Sequence, residues 1–329
     1  MKTFALFGAG RIGRIHAANI AAHPGARLKF VVDVDSAAAG AIAGAAVADT
    51  KSVLADAGVD ALLVASPTDT HADLIEAGAA AGKAILCEKP VDLDVARARA
   101  AVAAAERAGI LLAIGFNRRY DPSFRRVRRG IDDGEIGTVE SVLIVSRDPS
   151  PPPVAYVKRS GGMFRDMTIH DLDMARWLLG EEPVEVTAHG SCLVDPAIGA
   201  AGDIDTAAVT LRTASGRIAQ VANTRRAVFG YDQRIEVCGA RGMLAAGNRK
   251  STSVERATAD GYATDPALPF FLERYADAYR LELDAFVRRL HGEAADIVSG
   301  GDGVRALEIA AACDESLRTR ATVLLETPA

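Results

Sequence analysis

The sequence predicts an α/β protein in two parts: a parallel sheet with helical crossovers, then an α+β region around an antiparallel sheet with one covered face. Three observations carry this. A short apolar run, TFALF (3–7), leads directly into GAGRIG (8–13) and a helical segment. Apolar runs of strand length then alternate with alanine-rich helical stretches as far as residue 116. From residue 184 the chain turns to β-rich segments with partial period-two alternation. Strands buried on both faces read as continuous apolar runs, whereas half-covered antiparallel strands alternate.

The first elements follow in order. TFALF is a buried strand, GAGRIG a glycine turn, and RIHAANIAA (14–22) a helix stopped by His23-Pro24-Gly25. RLKFVVDVD (27–35) is a second strand ending in acid. Gly8 permits the tight turn, Gly10 lets backbone approach a pyrophosphate, and Gly13 lets helix pack against strand. Phosphates then lie at the helix N-terminus, over the amides of the first turn at Arg11 and Ile12, where the dipole favours negative charge. Asp33, 20 residues beyond Gly13, is placed to accept from the adenosine ribose hydroxyls. A 2′-phosphate would be repelled by Asp33, and no Lys or Arg occurs from Val34 to Thr50, so NAD is expected over NADP. The alternation continues through strands DALLVAS (60–66), AILCE (84–88) and LLAIGF (111–116). Between them lie helices LIEAGAAAG (74–82) and DVARARAAVAAAERAG (94–109), the latter running from an Asp94 cap to a Gly109 stop.

Bulk properties narrow the function. The length of 329 residues fits two domains. A net charge of −5 argues against nucleic-acid or anionic-membrane partners, and the one basic cluster, RRYDPSFRRVRRG (118–130), reads as a solvated helix face. Four cysteines (Cys87, Cys192, Cys238, Cys313) form no C-x-x-C pair and no disulfide framework. No stretch approaches the roughly 18 apolar residues of a membrane helix, and the N-terminal run is a strand rather than a signal peptide. The expectation is a cytoplasmic protein.

Two segments carry candidate chemistry. Lys89 follows a strand end and precedes Pro90, on the rim where ligands of open α/β sheets bind; a solvent-facing turn lysine is the plainer alternative. GGMFRDMTIHDLDMARWLLG (161–180) places Asp166, His170 and Asp173 at helical spacing beside a buried stripe of Leu172, Ala175 and Leu179. Spacing alone fits a helix cap and polar face as well as a catalytic group. Histidine, however, has the pKa suited to taking a hydroxyl proton near neutrality, and among the six histidines His170 is the one in a helical segment with a carboxylate a turn before it. No fourth ligand is suggested by the spacing of Asp166, His170 and Asp173, so no metal is expected.

GAGRIG (8–13), SPTDTH (66–71), EKP (88–90), GGMFRDMTIHDLD (161–173) and DGVRALEIAAACDES (302–316), in that order over nearly the whole chain, resemble the Gfo/Idh/MocA oxidoreductases. Within that family, GFNRRYDP (115–122), SRDPSPPP (146–153) and FFLERYADAYRLELDAF (270–286) look most like inositol 2-dehydrogenases. The resemblance implies a Rossmann NAD-binding domain at 1–120 and a substrate-binding and oligomerisation α+β domain with a large, mainly antiparallel sheet at 121–329. The last helix, about 302–320, is expected to pack back on the first domain, and the assembly to be a homotetramer. It implies Lys89, Asp166 and His170 as the catalytic group, and Ser66, His71, Glu88 and Lys89 beside the cofactor, His71 as a brace. Substrate contacts are expected from Lys89, Asn117, Asp148, Asp166, His170 and Asp173, with orientation of His170 as the alternative for Asp166 and support of His170 from behind as the alternative for Asp173. Ser146 and Asp148 stand where some inositol dehydrogenases carry a His and an Asn.

The implied reaction is oxidation of a cyclic polyol, myo-inositol to 2-keto-myo-inositol. The same chemistry on another inositol isomer or an aldose, or a non-catalytic NAD/sugar-sensing role, are the alternatives. VEVTAHGSCLV (184–194), TAAVTLRT (206–213), RIAQVANTR (217–225) and RIEVCG (234–239) supply sheet strands. Tyr231, on a connection, and Tyr279, on an amphipathic helix over 270–290, are further candidate substrate contacts, with packing roles as the alternative for Tyr231. PSPPP (149–153) reads as a stiff loop.

Overall fold

The computed structural model describes residues 1–326. The chain divides into two compact units, Met1–Tyr120 with Ala278–Leu307, and Asp121–Asp277 with the residues from Glu308 on.

In the first unit, β1 (Lys2–Phe7), β2 (Ala26–Val32), β3 (Ala46–Val47), β4 (Ala61–Val64), β5 (Ala84–Glu88) and β6 (Leu112–Gly115) form one sheet. Their order is β3-β2-β1-β4-β5-β6 and every pairing is parallel. Parallel strands need crossovers, supplied chiefly by helices Arg11–Ala22, His71–Ala80 and Val95–Arg107. The last of these begins where the Asp94 side chain accepts the Arg97 amide at 2.8 Å, and is followed by Gly109 at φ +66°. Because the strands are parallel, their C-terminal ends share one rim. That rim collects Gly8, Ser66, Glu88-Lys89 and the 3₁₀ turn Asn117–Tyr120, with the strand order reversing between β1 and β4.

The expected single helix over 270–290 is two, Phe271–Arg274 and Ala276–Leu290, separated at Tyr275. Leu283, Phe286 and Val287 of the longer one join Phe4, Leu6, Ile20, Leu86 and Ala113 in the core of the first unit. The Phe4 and Phe286 rings lie 6.1 Å apart.

The second unit is built on a mixed, mostly antiparallel sheet. Its strands are β7 (Val139–Arg147), β8 (Pro183–Ser191), β9 (Thr206–Thr213), β10 (Ile218–Thr224), β11 (Asp232–Gly239) and β12 (Gly242–Ala246); β13 (Glu255–Thr258) and β14 (Gly261–Thr264) form a separate exposed hairpin; and β15 (Val323–Leu324) closes the edge. The order is β12-β11-β7-β10-β9-β8-β15, and β7–β10 is the single parallel pair. One face, with Val142, Ile144, Ala219, Val221, Ile235 and Val237, is buried, and the helix Ile169–Leu179 packs over β7 and β10. Register puts Ile218, Ser141, Cys238 and Met243 in one row on the opposite face, where Ile218 and Met243 are exposed. At the end of the 169–179 helix, Arg128 lies with its guanidinium 5.9 Å from the Trp177 ring and donates to the Trp177 carbonyl. Among the described residues, no helix is long and apolar enough to cross a membrane.

Candidate active site

The glycine turn after β1 is shaped by what its residues lack. Gly8 sits at φ +97°, and a Cβ there would lie 2.5 Å from the Ala65 carbonyl oxygen. A Cβ on Gly13 would lie 1.9 Å from the Gly8 carbonyl oxygen, so helix and strand can approach this closely only with glycine. At Gly10 a Cβ would meet nothing within 4 Å. The turn is therefore closed on the protein side at Gly8 and Gly13 and open at Gly10, the form a pyrophosphate cradle requires. The helix that begins at Arg11 and Ile12 has no side-chain cap and no acid in its first turn, leaving its positive end available to an anion.

Asp33 follows β2, and its Oδ2 accepts the Ala9 amide at 2.6 Å while Oδ1 accepts the Asp35 amide at 2.8 Å. It thus fixes the turn itself, and each carboxylate oxygen keeps acceptor capacity for a ribose hydroxyl. Beside it Val34 is fully exposed, an apolar surface of the kind a purine face covers. These residues fit NAD.

Two loops on the same rim are tied by one imidazole. His71 is 1% exposed; its Nε2 lies 2.9 Å from the Ser66 carbonyl oxygen and its Nδ1 2.8 Å from that of Pro90. The ends of β4 and β5 are thereby linked. Ser66 Oγ pairs with Thr70 Oγ1 at 2.6 Å. Lys89 is half-buried and precedes a cis peptide to Pro90; Asn117 is buried on the 3₁₀ turn. Tyr279 is buried with its ring edge-on to His16, centroids 5.6 Å apart.

In the second unit, Gly161 and Gly162 both take left-handed backbone (φ +83° and +85°) and a π-helical turn, Phe164–Thr168, precedes the α-helix. Gly180, at φ +65°, ends the helix. Asp166 stands on the π turn and His170, half-buried, on the first α turn. The Asp166 carboxylate is held from two sides: Tyr156 Oη donates to Oδ1 at 2.7 Å and Arg225 Nη2 to Oδ2 at 3.1 Å. Arg225, only 2% exposed, also brings Nη1 to 3.7 Å from Asp148 Oδ2. Although the Tyr156 side chain reaches the surface, burial of its hydroxyl and the neighbouring Asp166 charge hold that phenol well above its usual range. Tyr156 is thus a fixed donor, and Asp166 a fixed acceptor.

The structure groups Asp166 and Asp148 about Arg225, and places other expected residues differently. Asp173 is buried, with Arg176 of its own helix 3.7 Å away; Arg176 in turn pairs with Glu182. The neighbouring Asp171 is also buried and accepts from Asn223 Nδ2 at 2.9 Å. Ser146 Oγ meets Gln233, which Tyr275 Oη also reaches. Tyr231 is buried edge-on against Phe270 and Tyr275, at 6.3 and 6.0 Å. Arg225 and Tyr156 escaped sequence reasoning. The available signal was the RR pair ending a strand-like run in NTRRA, but nothing local marks an arginine as buried.

A carboxylate locked by two donors, one turn from a half-buried imidazole, can orient a polar substrate and move a proton. Residues 2–116 match the NAD-binding Rossmann fold of the oxidoreductase family, and 124–245 the GFO/IDH/MocA C-terminal domain. The chain is 53% identical over 317 residues to the inositol 2-dehydrogenase of Rhizobium meliloti strain 1021, covering 95% of this chain and 96% of that one. A solved structure of a myo-inositol dehydrogenase from Corynebacterium glutamicum superposes with a TM-score of 0.95 at 43% identity, over 100% of both chains. A scyllo-inositol dehydrogenase from Lactobacillus casei, solved with bound NAD(H) and scyllo-inositol, gives 0.90 at 30%, over 98% of this chain and 99% of the other.

Proposed function

The chain belongs to the Gfo/Idh/MocA oxidoreductases as an NAD-dependent member, and from that premise we propose that it oxidises myo-inositol to 2-keto-myo-inositol. The observation that carries the reading is the Asp166 carboxylate, fixed by Tyr156 and Arg225 one turn before His170, in a chain 53% identical to an inositol 2-dehydrogenase. NAD, when bound, accepts the hydride. His170 takes the proton of the reacting hydroxyl. Lys89 donates a hydrogen bond to that oxygen and stabilises the negative charge growing on it. Asp166 accepts from a neighbouring hydroxyl and orients the ring, with Asp148 and Asn117 as further polar contacts; Asp173, buried beside Arg176, supports the His170 helix from behind. Gly8, Gly10, Arg11, Ile12, Gly13 and Asp33 hold the cofactor, with Ser66, His71 and Glu88 shaping its rim.

Residues 1–120 are assigned to cofactor binding and 121–329 to substrate binding and assembly. A homotetramer formed through the sheet is supported by the exposed row at Ile218 and Met243.

The test is NADH fluorescence with a panel of inositol isomers and aldoses. Reduction with myo-inositol, lost in Lys89→Ala and lowered roughly 10²–10⁴-fold in His170→Ala, is the expected result. Near-normal turnover of His170→Ala removes the assigned base. Preference for scyllo-inositol, the ligand of the Lactobacillus casei relative, would move the substrate to that isomer. NAD binding with no polyol oxidised would favour a sensing role.

A further inference from the structure

Behind the strand end that presents Lys89 lies a buried cluster of which the proposed reaction uses only Glu88, at the cofactor rim. His16 from the Arg11–Ala22 helix, Glu88 at the end of β5, and Glu282 from the Ala276–Leu290 helix bring one polar atom each to within 4.8 Å of one another. His16 and Glu282 are each 1% exposed. His16 Nε2 lies 2.8 Å from Glu88 Oε1. On the other side, a Cβ on Gly115 would fall 2.9 Å from Glu88 Oε2, so glycine is what leaves room for the carboxylate. Neither carboxyl oxygen of Glu282 has a hydrogen-bond partner.

Two carboxyls this close, away from water, do not both ionise. The charge belongs to the one with a donor, Glu88, since a buried carboxylate without one is costly. Cys87, fully buried, has its thiol pushed up by burial and then by the Glu88 charge. Glu282 is likewise raised, by burial first and then by Glu88. The titratable groups that bring a polar atom within 4.8 Å of the Glu282 carboxyl in this cluster are His16 and Glu88. Tyr279 on its own helix turns to the His16 ring, and Asp284 pairs with His23 at 3.3 Å. The core this helix joins includes Phe4, Leu6, Leu86 and Ala113.

We propose that His16 and Glu282 are positioning residues for Lys89: His16 donates to the Glu88 carboxylate, Glu282 stands behind it as a neutral acid, and together they fix the Glu88-Lys89 segment. The part concerning Lys89 rests on its role in the proposed reaction; the placement of the proton does not.

The experiment compares wild type, Glu282→Gln and Glu282→Ala by thermal unfolding without substrate, and by turnover. An acid whose pKa is raised in the fold binds its proton more tightly there than in the unfolded chain. Stability therefore falls as pH rises above the ordinary value of 4.5. Gln cannot ionise, so its stability relative to wild type should improve as pH goes from about 5 to about 8. Glu282→Gln should keep most of the turnover, whereas Glu282→Ala should lower kcat about 10–100-fold with little change in KM for NAD. A flat stability difference with pH, a Gln variant as damaged as Ala or unable to fold, or a stoichiometric divalent cation by elemental analysis would each overturn the neutral acid. Failure of every polyol to react would sink the proposed function and leave the unfolding result standing on its own.

Discussion

Asp205 is fully buried just before β9, and its carboxylate accepts the amides of Leu193, Val194 and Asp195 at 2.7, 2.8 and 2.9 Å. Its own carbonyl accepts the Arg225 amide at 2.8 Å, so it anchors the start of the arginine that grips Asp166. Burial raises its pKa, but the three amides outweigh burial and hold it below the usual carboxylate value. With the folded pKa lowered, the stability it contributes is present above about pH 4 and lost as pH falls through the folded value. Asp205→Asn should cost roughly 1–3 kcal/mol in urea unfolding at neutral pH, and the deficit should shrink in acid. A deficit that ignores pH would mean that shape, not charge, matters at this site. None of this was legible beforehand: Asp205 and Arg225 look like polar punctuation between strands, and only long-range pairing gives them work. Lys89, Asp166 and His170 could be named as candidates because they sit in contiguous motifs.

At the scale of elements, the sequence was most readable where one local rule decides. Parallel strands buried on both faces, as β4 is throughout, leave unbroken apolar runs, and Asp94 and Gly109 mark a helix by side-chain capping and left-handed backbone. Where tertiary packing decides, it failed. The π turn at 164–168 departs from the helical periodicity assumed over 161–180, and such turns recur at functional sites. The break at Tyr275 was equally hidden. There Arg274, stacked 5.1 Å from the Phe124 ring and 4.7 Å from that of Tyr275, pairs with Asp121, and both are about 1% exposed. Asp121 also caps helix Pro122–Asp132 through the Ser123 and Phe124 amides. Arg274→Ala should therefore destabilise by about 3–5 kcal/mol, because it strands a buried carboxylate. Calorimetry would check it; a loss below about 1 kcal/mol would mean the cap alone satisfies Asp121.

For the molecule as a whole, the proposed assembly makes a separate prediction. The row of Ile218, Ser141, Cys238 and Met243 lies on the uncovered face of the sheet in the second unit. Met243→Glu, exposed in the single chain, should leave its fold intact yet lower the mass measured by light scattering. An unchanged mass would place the interface elsewhere. The two-part architecture was readable from the change in hydrophobic pattern. Which face of the second sheet stays bare was not, because partial alternation defines two faces without saying what covers either. The chain contains a single tryptophan, Trp177, partly buried under Arg128 on the helix that begins beside His170. Indole emission from this protein therefore has one source, and any change in its colour or lifetime when polyol is added is a signal from that helix, unmixed with any other.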